Sequence, residues 1–234
     1  MTAPRYFALI PAAGVGARMG GTVPKQYTRL AGKPMLARVL DTFVGISAIA
    51  HTFTVVSSGD EHIDEAMTEV TGDRSLLSIL RVGGDTRRQS VLNGLHAMRG
   101  RMDVSDDDWI LVHDAARPGI DAESIEKLMH AIHDDVTGGL LALPVVDTLK
   151  RADADGRIDR TIPREQLWAA QTPQMFRYGL LRHALEQAEH VTDEAGAIEA
   201  LGLKPLLVEG SARNFKVTLP HDVALAELYL KEFA

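Results

Sequence analysis

FALIPAAGVGARMGGTVPKQY, residues 7–27, joins a short apolar run to a glycine-rich loop, and its reading decides the fold. Phe7–Ile10 has the length of a buried strand and is ended by Pro11. Behind it, Gly14, Gly16 and Gly20 let the backbone turn tightly and bring N–H groups close to phosphate oxygens, while Arg18 and Lys25 supply cations. Two commoner phosphate motifs do not fit. The dinucleotide pattern requires glycine where Met19 stands, and the Walker A pattern requires Lys and Ser or Thr where Thr22 and Val23 stand. Taken by itself the loop is either a nucleoside-triphosphate cradle or a strand-to-loop turn with solvated cations beside it.

Working outward, apolar runs rich in β-branched residues alternate with segments of helical period. This pattern predicts an α/β fold, a mainly parallel sheet flanked by helices. Strands are expected at Phe7–Ile10, Thr52–Ser57, Ile79–Val82, Trp109–His113, Gly139–Leu143 and Pro205–Val208. Helices are expected from Pro34, from about Glu61, and over Arg88–Met98, Ala122–His133, Gly179–Glu189, Asp193–Leu201 and Pro220–Phe233. The last is apolar at helical spacing and reads as packing against the sheet. In such folds ligands lie beyond the carboxyl ends of the strands.

The charge distribution favours the cradle. The net charge is −7, yet residues 1–40 contain six cations (Arg5, Arg18, Lys25, Arg29, Lys33, Arg38) and no Asp or Glu, so the remainder carries −13. An acidic protein that binds a polyanion must concentrate positive charge locally. The same balance argues against nucleic acid as a partner, since a broad basic face is missing. With 234 residues, 45% of them hydrophobic, the chain is expected to form a single domain over 1–234, with no repeat or low-complexity tract. No apolar stretch approaches the ~20 residues of a membrane span, and Tyr6–Ile10 is too short for a signal-peptide core, so a cytoplasmic protein with no membrane partner is expected. The absence of cysteine excludes disulfides, thiolate catalysis and cysteine-ligated metal.

Two more loops follow strands. In GGDTRRQSVLNGL, residues 83–95, Gly83 and Gly84 allow close backbone approach, and Asp85 and Ser90 present groups suited to the Watson–Crick edge of a pyrimidine. Arg87 suits a phosphate or a brace for the loop. The alternative is a helix start capped by Asp85 or Thr86, with Ser90 a surface hydroxyl. In HDAARP, residues 113–118, Asp114 is placed for a ribose hydroxyl or a phosphate-bound Mg²⁺, and His113 reads as hydrogen-bonded scaffold. The acidic run Asp106–Asp108 reads as a solvated loop, and His130 and His133, without a third ligand, as surface residues.

PAAGxGxRM with PKQY, GGxxRxxSV, HDAARP, PVxDTxKR, LWxxxTPQ, TDEA and NxKVT, in that order, resemble the 2-C-methyl-D-erythritol 4-phosphate cytidylyltransferase family of non-mevalonate isoprenoid synthesis over nearly the whole chain. The resemblance implies a Rossmann-like nucleotidyltransferase fold, CTP and a sugar-alcohol phosphate as substrates, pyrophosphate release, and Mg²⁺. It implies that Arg18 and Lys25 stabilise the transition state at the α-phosphate. Pro11, Ala12, Ala13, Gly14 and Gly16 would cradle the nucleotide, and Gly84, Asp85 and Ser90 would read cytosine. Asp114 and Ala115 would meet the ribose, and Asp114 is the one candidate near a metal that phosphate oxygens would chiefly hold. Arg164 and Lys216 would position the acceptor, with Arg117, Thr148, Thr172 and Thr192 in support. Arg213 stands where many members carry an acidic residue, a departure that touches one acceptor-hydroxyl contact.

Asp147–Arg164 alternates charges about a polar turn at Asp153–Gly156 and has too few apolar residues for a core. It is expected to project as a β-hairpin arm, either solvated or swapped into a partner. The resemblance implies the second, a homodimer whose interlocking arms over residues 147–164 carry Arg164 and Thr148 into the neighbour's acceptor site. Two rival readings remain from the sequence: a ribitol 5-phosphate cytidylyltransferase, and a non-catalytic nucleotide sensor that would dispense with Lys25, Arg164 and Lys216. Some relatives carry a fused cyclodiphosphate synthase, for which a chain ending at Ala234 is expected to leave no room.

Overall fold

The computed structural model describes residues 3–14 and 23–232. The expectations placed on Gly16, Arg18 and Gly20 lie outside the described residues. Seven strands form one sheet: β1 (Tyr6–Pro11), β4 (Ile49–Val55), β5 (Leu77–Leu80), β6 (Trp109–Val112), β7 (Gly139–Pro144), β10 (Trp168–Arg177) and β11 (Leu206–Glu209). Their order is β11-β7-β10-β6-β1-β4-β5. β1 pairs in parallel with β4 and β6, β4 with β5, and β7 with β11, whereas β10 runs antiparallel to both its neighbours. The expected fold class is therefore the observed one, with one reversed strand inside the sheet.

That reversed strand escaped the sequence reading for a local reason. WAAQTPQMFR contains a proline and two glutamines, and Pro173 removes a ladder donor where a strand should be continuous. The chain accommodates it as an irregularity between Ala170 and Gln174, where pairing with β7 is interrupted. The inner half from Gln171 to Phe176 is buried all the same.

Successive side chains of β1 serve opposite faces, as strand geometry requires. Ala8 and Ile10 join Trp109 and Leu111 under α1 (Met35–Val44) and α4 (Ala122–Ile132). Phe7 and Leu9 join Ile110 and Val112 under α3 (Arg87–Arg101), α5 (Tyr178–Gln187) and α6 (Glu194–Ala200). α2 (Ile63–Thr68) completes the first face. Strands buried on both faces read as continuous apolar runs, which is why β1 and β6 were legible.

Two smaller expectations fail. α7 (Pro220–Glu232) does not lie on the sheet: its Ala226 packs with Leu30, Met35, Ala116 and Val217, while Leu228 is 61% exposed. Asp108 is not solvated. Its carboxylate is buried and accepts bonds from Arg5 N at 2.8 Å, Arg5 Nη2 at 2.8 Å and Ser105 N at 2.9 Å, anchoring the chain before β1 to the turn before β6.

The short strands β2 (Arg29–Leu30) and β3 (Lys33–Pro34) make a hairpin turned by Ala31 and Gly32, both at positive φ. The second hairpin is the expected arm. β8 (Leu149–Ala152) and β9 (Ile158–Ile162) form a separate two-stranded sheet, with Gly156 at φ +77° and Asp153 Oδ1 accepting from the N–H groups of Asp155 and Arg157 at its turn. Ile158 at its far end is 68% exposed. Among the described residues no helix is long and apolar enough to cross a membrane.

Candidate active site

A cleft of about 470 Å³ opens beyond the carboxyl ends of β1, β5 and β6. Pro11–Gly14, Lys25, Gln26, Gly84–Arg87, Ser90, Asp114–Ala116 and Lys216 line it. The structure thus brings together the expected nucleotide residues that are described, together with two of the expected cations.

The floor is fixed by one main-chain bond and three made by side chains. Ala12 N donates to Val55 O at 2.7 Å, and Ser57 Oγ donates to Ala13 O at 3.0 Å. Gln26 Nε2 donates to Ala12 O at 2.7 Å, and Tyr27 Oη donates to Asp60 Oδ2 at 2.7 Å. Both side chains are buried and neighbour Lys25 in one short 3₁₀ turn, Lys25–Tyr27, so PKQY has a physical reading: Gln26 and Tyr27 nail down the backbone that presents the lysine. Burial, reinforced by the Asp60 carboxylate, pushes the Tyr27 pKa up, which keeps the phenol a donor.

The loop after β5 closes one side. A Cβ on Gly83 would stand 2.4 Å from Ala13 Cβ, so only glycine lets this loop rest on the loop after β1. Thr86 caps α3 by accepting from Gln89 N at 3.0 Å, which leaves the Asp85 side chain out of the capping role. Ser90 is buried, contrary to the surface-hydroxyl alternative. Its Oγ accepts from Gly84 N at 3.1 Å and lies 3.0 Å from Thr86 O, so Ser90 shapes the loop from within while lining the cleft.

The other side is an ionic cluster centred on Asp114. Arg87 Nε donates to Asp114 Oδ1 at 2.9 Å, Lys216 Nζ lies 2.7 Å from Asp114 Oδ2, and Arg117 Nε is 3.9 Å from Oδ2. The two terminal nitrogens of Arg87 fork onto Glu194, Nη1 to Oε1 at 2.5 Å and Nη2 to Oε2 at 2.9 Å. Burial acts to raise the Asp114 pKa, but the charges of Arg87, Lys216 and Arg117 outweigh it and hold the carboxyl well below the usual range. Arg87 is likewise held fully charged, burial being outweighed by Glu194 and Asp114. Of its two expected roles, phosphate ligand or brace, the structure gives Arg87 the brace.

His113 stands behind Asp114 as scaffold. Its Nε2 lies 3.1 Å from Arg117 O, an oxygen that can only accept, so Nε2 carries the proton and Nδ1 accepts from Thr172 Oγ1 at 3.0 Å. Thr172 Oγ1 in turn accepts from Asp114 N at 3.0 Å. Burial pushes the His113 pKa down to about 4, consistent with the neutral ring.

This chain of bonds takes in one of the expected acceptor residues. Thr172 is 4% exposed, does not line the cleft, and bonds His113 and Asp114 through its hydroxyl. It thereby holds the segment that follows β6. Arg117 is similarly committed, donating to Asn214 O at 2.8 Å and to Ala170 O at 3.3 Å. It ties the loop bearing Asp114 to the segment bearing Lys216. Asn214 completes that tie through Nδ2 to Thr172 O at 2.7 Å.

The remaining acceptor candidates lie apart. Arg164, Thr148 and Thr192 are exposed and do not line the cleft; Arg164 and Thr148 sit at the arm, where Arg164 Nη1 donates to Val146 O. Arg213 faces Asp121 at 3.9 Å. His130 and His133 are both exposed, in keeping with their surface reading. Sequence reasoning missed Glu194, Gln26, Tyr27 and Asn214 as contributors. The motifs that contain them were visible, but nothing in a linear pattern says what a side chain will touch.

The family model for 2-C-methyl-D-erythritol 4-phosphate cytidylyltransferase matches residues 6–232. A protein of that name from Nitrosospira multiformis is 54% identical over 228 residues, 97% of each chain. A crystal structure of a 4-diphosphocytidyl-2C-methyl-D-erythritol synthase superposes with a TM-score of 0.86 at 40% identity, covering 98% of this chain and 100% of the other. The cytidylyltransferase of Thermus thermophilus superposes with 0.77 at 31% identity, covering 97% and 99%. With an open cleft at the strand ends, a glycine-built floor and a cation cluster beside it, this chain belongs to the 2-C-methyl-D-erythritol 4-phosphate cytidylyltransferase family.

Proposed function

We propose that the protein transfers the cytidylyl group of CTP to 2-C-methyl-D-erythritol 4-phosphate, giving 4-diphosphocytidyl-2-C-methyl-D-erythritol and pyrophosphate. The observation that carries this reading is the convergence of Lys25, Lys216, Asp114 and the Gly84–Ser90 loop on one cleft in a chain of this family. An acceptor phosphate oxygen attacks the α-phosphorus in line, a new P–O bond forms, the bond to the β-phosphate oxygen breaks, and its electrons leave with pyrophosphate. A phosphate monoester is already a nucleophile at neutral pH, so the protein's task is alignment and charge stabilisation.

In this reading Lys25 and Arg18 meet the charge developing at the α-phosphate. Pro11, Ala12, Ala13, Gly14 and Gly16 line the triphosphate path, Gly84, Asp85 and Ser90 the base, and Asp114 and Ala115 the ribose. Lys216 meets the acceptor phosphate. Among the described residues, Asp85 and Asp114 are the carboxylates lining the cleft. Asp114 is already ringed by Arg87, Lys216 and Arg117, which leaves a divalent ion to be bound mainly through substrate phosphates. Mg²⁺, the ion we propose, would supply neutralisation of the phosphate charge when bound there.

Residues 1–234 act as one nucleotidyltransferase domain in this proposal, and the 147–164 arm as a dimerisation element. The exposure of Arg164 and Thr148 away from the cleft favours their delivery to the acceptor site of a second copy, beside Thr192. A cytoplasmic location belongs to the same proposal. The test is Mg²⁺-dependent pyrophosphate release from CTP with methylerythritol phosphate or ribitol 5-phosphate, with ATP, GTP and UTP as donor controls. Release with CTP and methylerythritol phosphate alone is expected. Release only with ribitol phosphate would overturn the acceptor, and no release with any pair would overturn the enzyme reading.

A further inference from the structure

Glu194 is fully buried, carries a formal charge, and does not line the cleft, so neither solvent nor substrate explains it. A carboxylate in that position is costly unless it is paired and hydrogen-bonded. Its surroundings fix it with care. Asp193 caps α6 by accepting from Gly196 N at 3.0 Å; Gln174 donates to Asp193 Oδ2 at 2.9 Å and accepts from Ala195 N at 2.7 Å. Both residues flanking Glu194 are therefore tied to β10 or to the helix start, and its side chain has one direction to go, onto the fork of Arg87.

We infer that Glu194 is a positioning residue for the acceptor site: by occupying both terminal nitrogens of Arg87 it leaves Asp114 Oδ2 to Lys216. The inference rests on the proposed function for what Lys216 does, and on geometry for how it is held. Guanidinium and carboxylate prefer a two-bonded fork. Arg87 has Asp114 within reach, yet gives it only Nε, because Nη1 and Nη2 are engaged by Glu194. Without the Glu194 charge, the strongest acceptor left to the fork is Asp114. Arg87 would then turn onto both its oxygens and displace Lys216 Nζ from its 2.7 Å contact. The chain Glu194, Arg87, Asp114, Lys216 links segments far apart in sequence: the TDEA motif, the start of α3, the loop after β6, and NFKVT.

The experiment uses Glu194→Gln, Lys216→Met and the double variant in the full chain, with thermal unfolding to establish that each is folded. Glu194→Gln is expected to lower kcat/KM for methylerythritol phosphate by about tenfold or more, on the scale of a misplaced binding group. The same change in the Lys216→Met background is expected to cost nothing further. Equal losses in both backgrounds, or no loss in either, would overturn the inference.

A second readout needs no substrate. Freed from its carboxylate, Lys216 should be acetylated by a lysine reagent several-fold faster in Glu194→Gln than in the parent, measured by mass spectrometry; an unchanged rate would overturn the inference. If the parent shows no transferase activity, the proposed function fails and this second readout still decides the positioning claim. If Glu194→Gln does not fold, Glu194→Asp replaces it. That variant keeps the charge but withdraws it by one methylene, and is expected to raise Lys216 reactivity by a smaller factor, again with an unchanged rate as the overturning result.

Discussion

The cleft and the arm are both rich in cations, yet they hold them in opposite ways. In the cleft wall, Arg87, Arg117 and Lys216 surround one buried carboxylate, and a second buried carboxylate holds Arg87 from behind. In the arm, Lys150 reaches Thr161 across the hairpin, Arg160 lies 3.9 Å from Asp159, and the strands have no apolar face of their own. Orientation in the cleft is set inside the chain, where low dielectric makes each pair strong. A two-stranded hairpin without a core is marginal by itself. The difference teaches that the cleft is preorganised by its own fold, while the arm has no core to do the same, which is why we propose a second copy as its support.

The largest effect should come from the cleft. Lys25→Ala is expected to lower turnover by at least ~100-fold, the scale of losing one transition-state donor, with little change in unfolding midpoint. Steady-state kinetics beside a melting curve checks this, and an unchanged turnover would remove Lys25 from the mechanism. Deleting Arg151–Arg160 asks the opposite question of the arm. Monomers with a raised KM for the acceptor and a nearly unchanged KM for CTP are expected, by sedimentation and kinetics; a fully active dimer would break the comparison.

The preorganised side should also reveal itself in pH. His113 is kept neutral, its pKa pushed from 6.5 to about 4 by burial. Between those values the unfolded chain binds a proton that the folded chain refuses, so stability falls as pH drops through the window and this site's loss ends near pH 4. The scale is ~3 kcal/mol at most. Urea unfolding at pH 7 and pH 5 should show the fall, and His113→Asn should reduce it. His51, whose pKa burial also lowers, adds a part that persists in that variant. The smallest effect expected is Tyr27→Phe, which loses the bond to Asp60 and costs about 1 to 2 kcal/mol in the same assay, with a modest drop in turnover because Lys25 sits on the loosened turn.

Much of this molecule was legible because its signals are local. β1 and β6 are apolar runs ended by loops, the turn of the arm is written in Asp153–Gly156, and the start of α3 carries its cap in Thr86. The glycine loop and the loops after β5 and β6 could be named as one site because parallel sheets place such loops at a common edge. β10 was not legible, since its pairing on both sides is decided by residues about 30 and 60 positions earlier while its own sequence contains a proline.

The amino-acid sequence by itself determined the α/β class, the family and the segments that form the cleft, because periodicity, glycine placement and motif order are properties of the linear chain. Only the tertiary structure decided the division of labour within those segments. It bonded Thr172 to His113 and Asp114, gave Arg87 to Glu194 and Asp114, and turned Gln26 and Tyr27 into anchors for Lys25. The physical reason is that an ionic or polar side chain is defined by what it meets after burial, and those partners lie as many as 107 residues away.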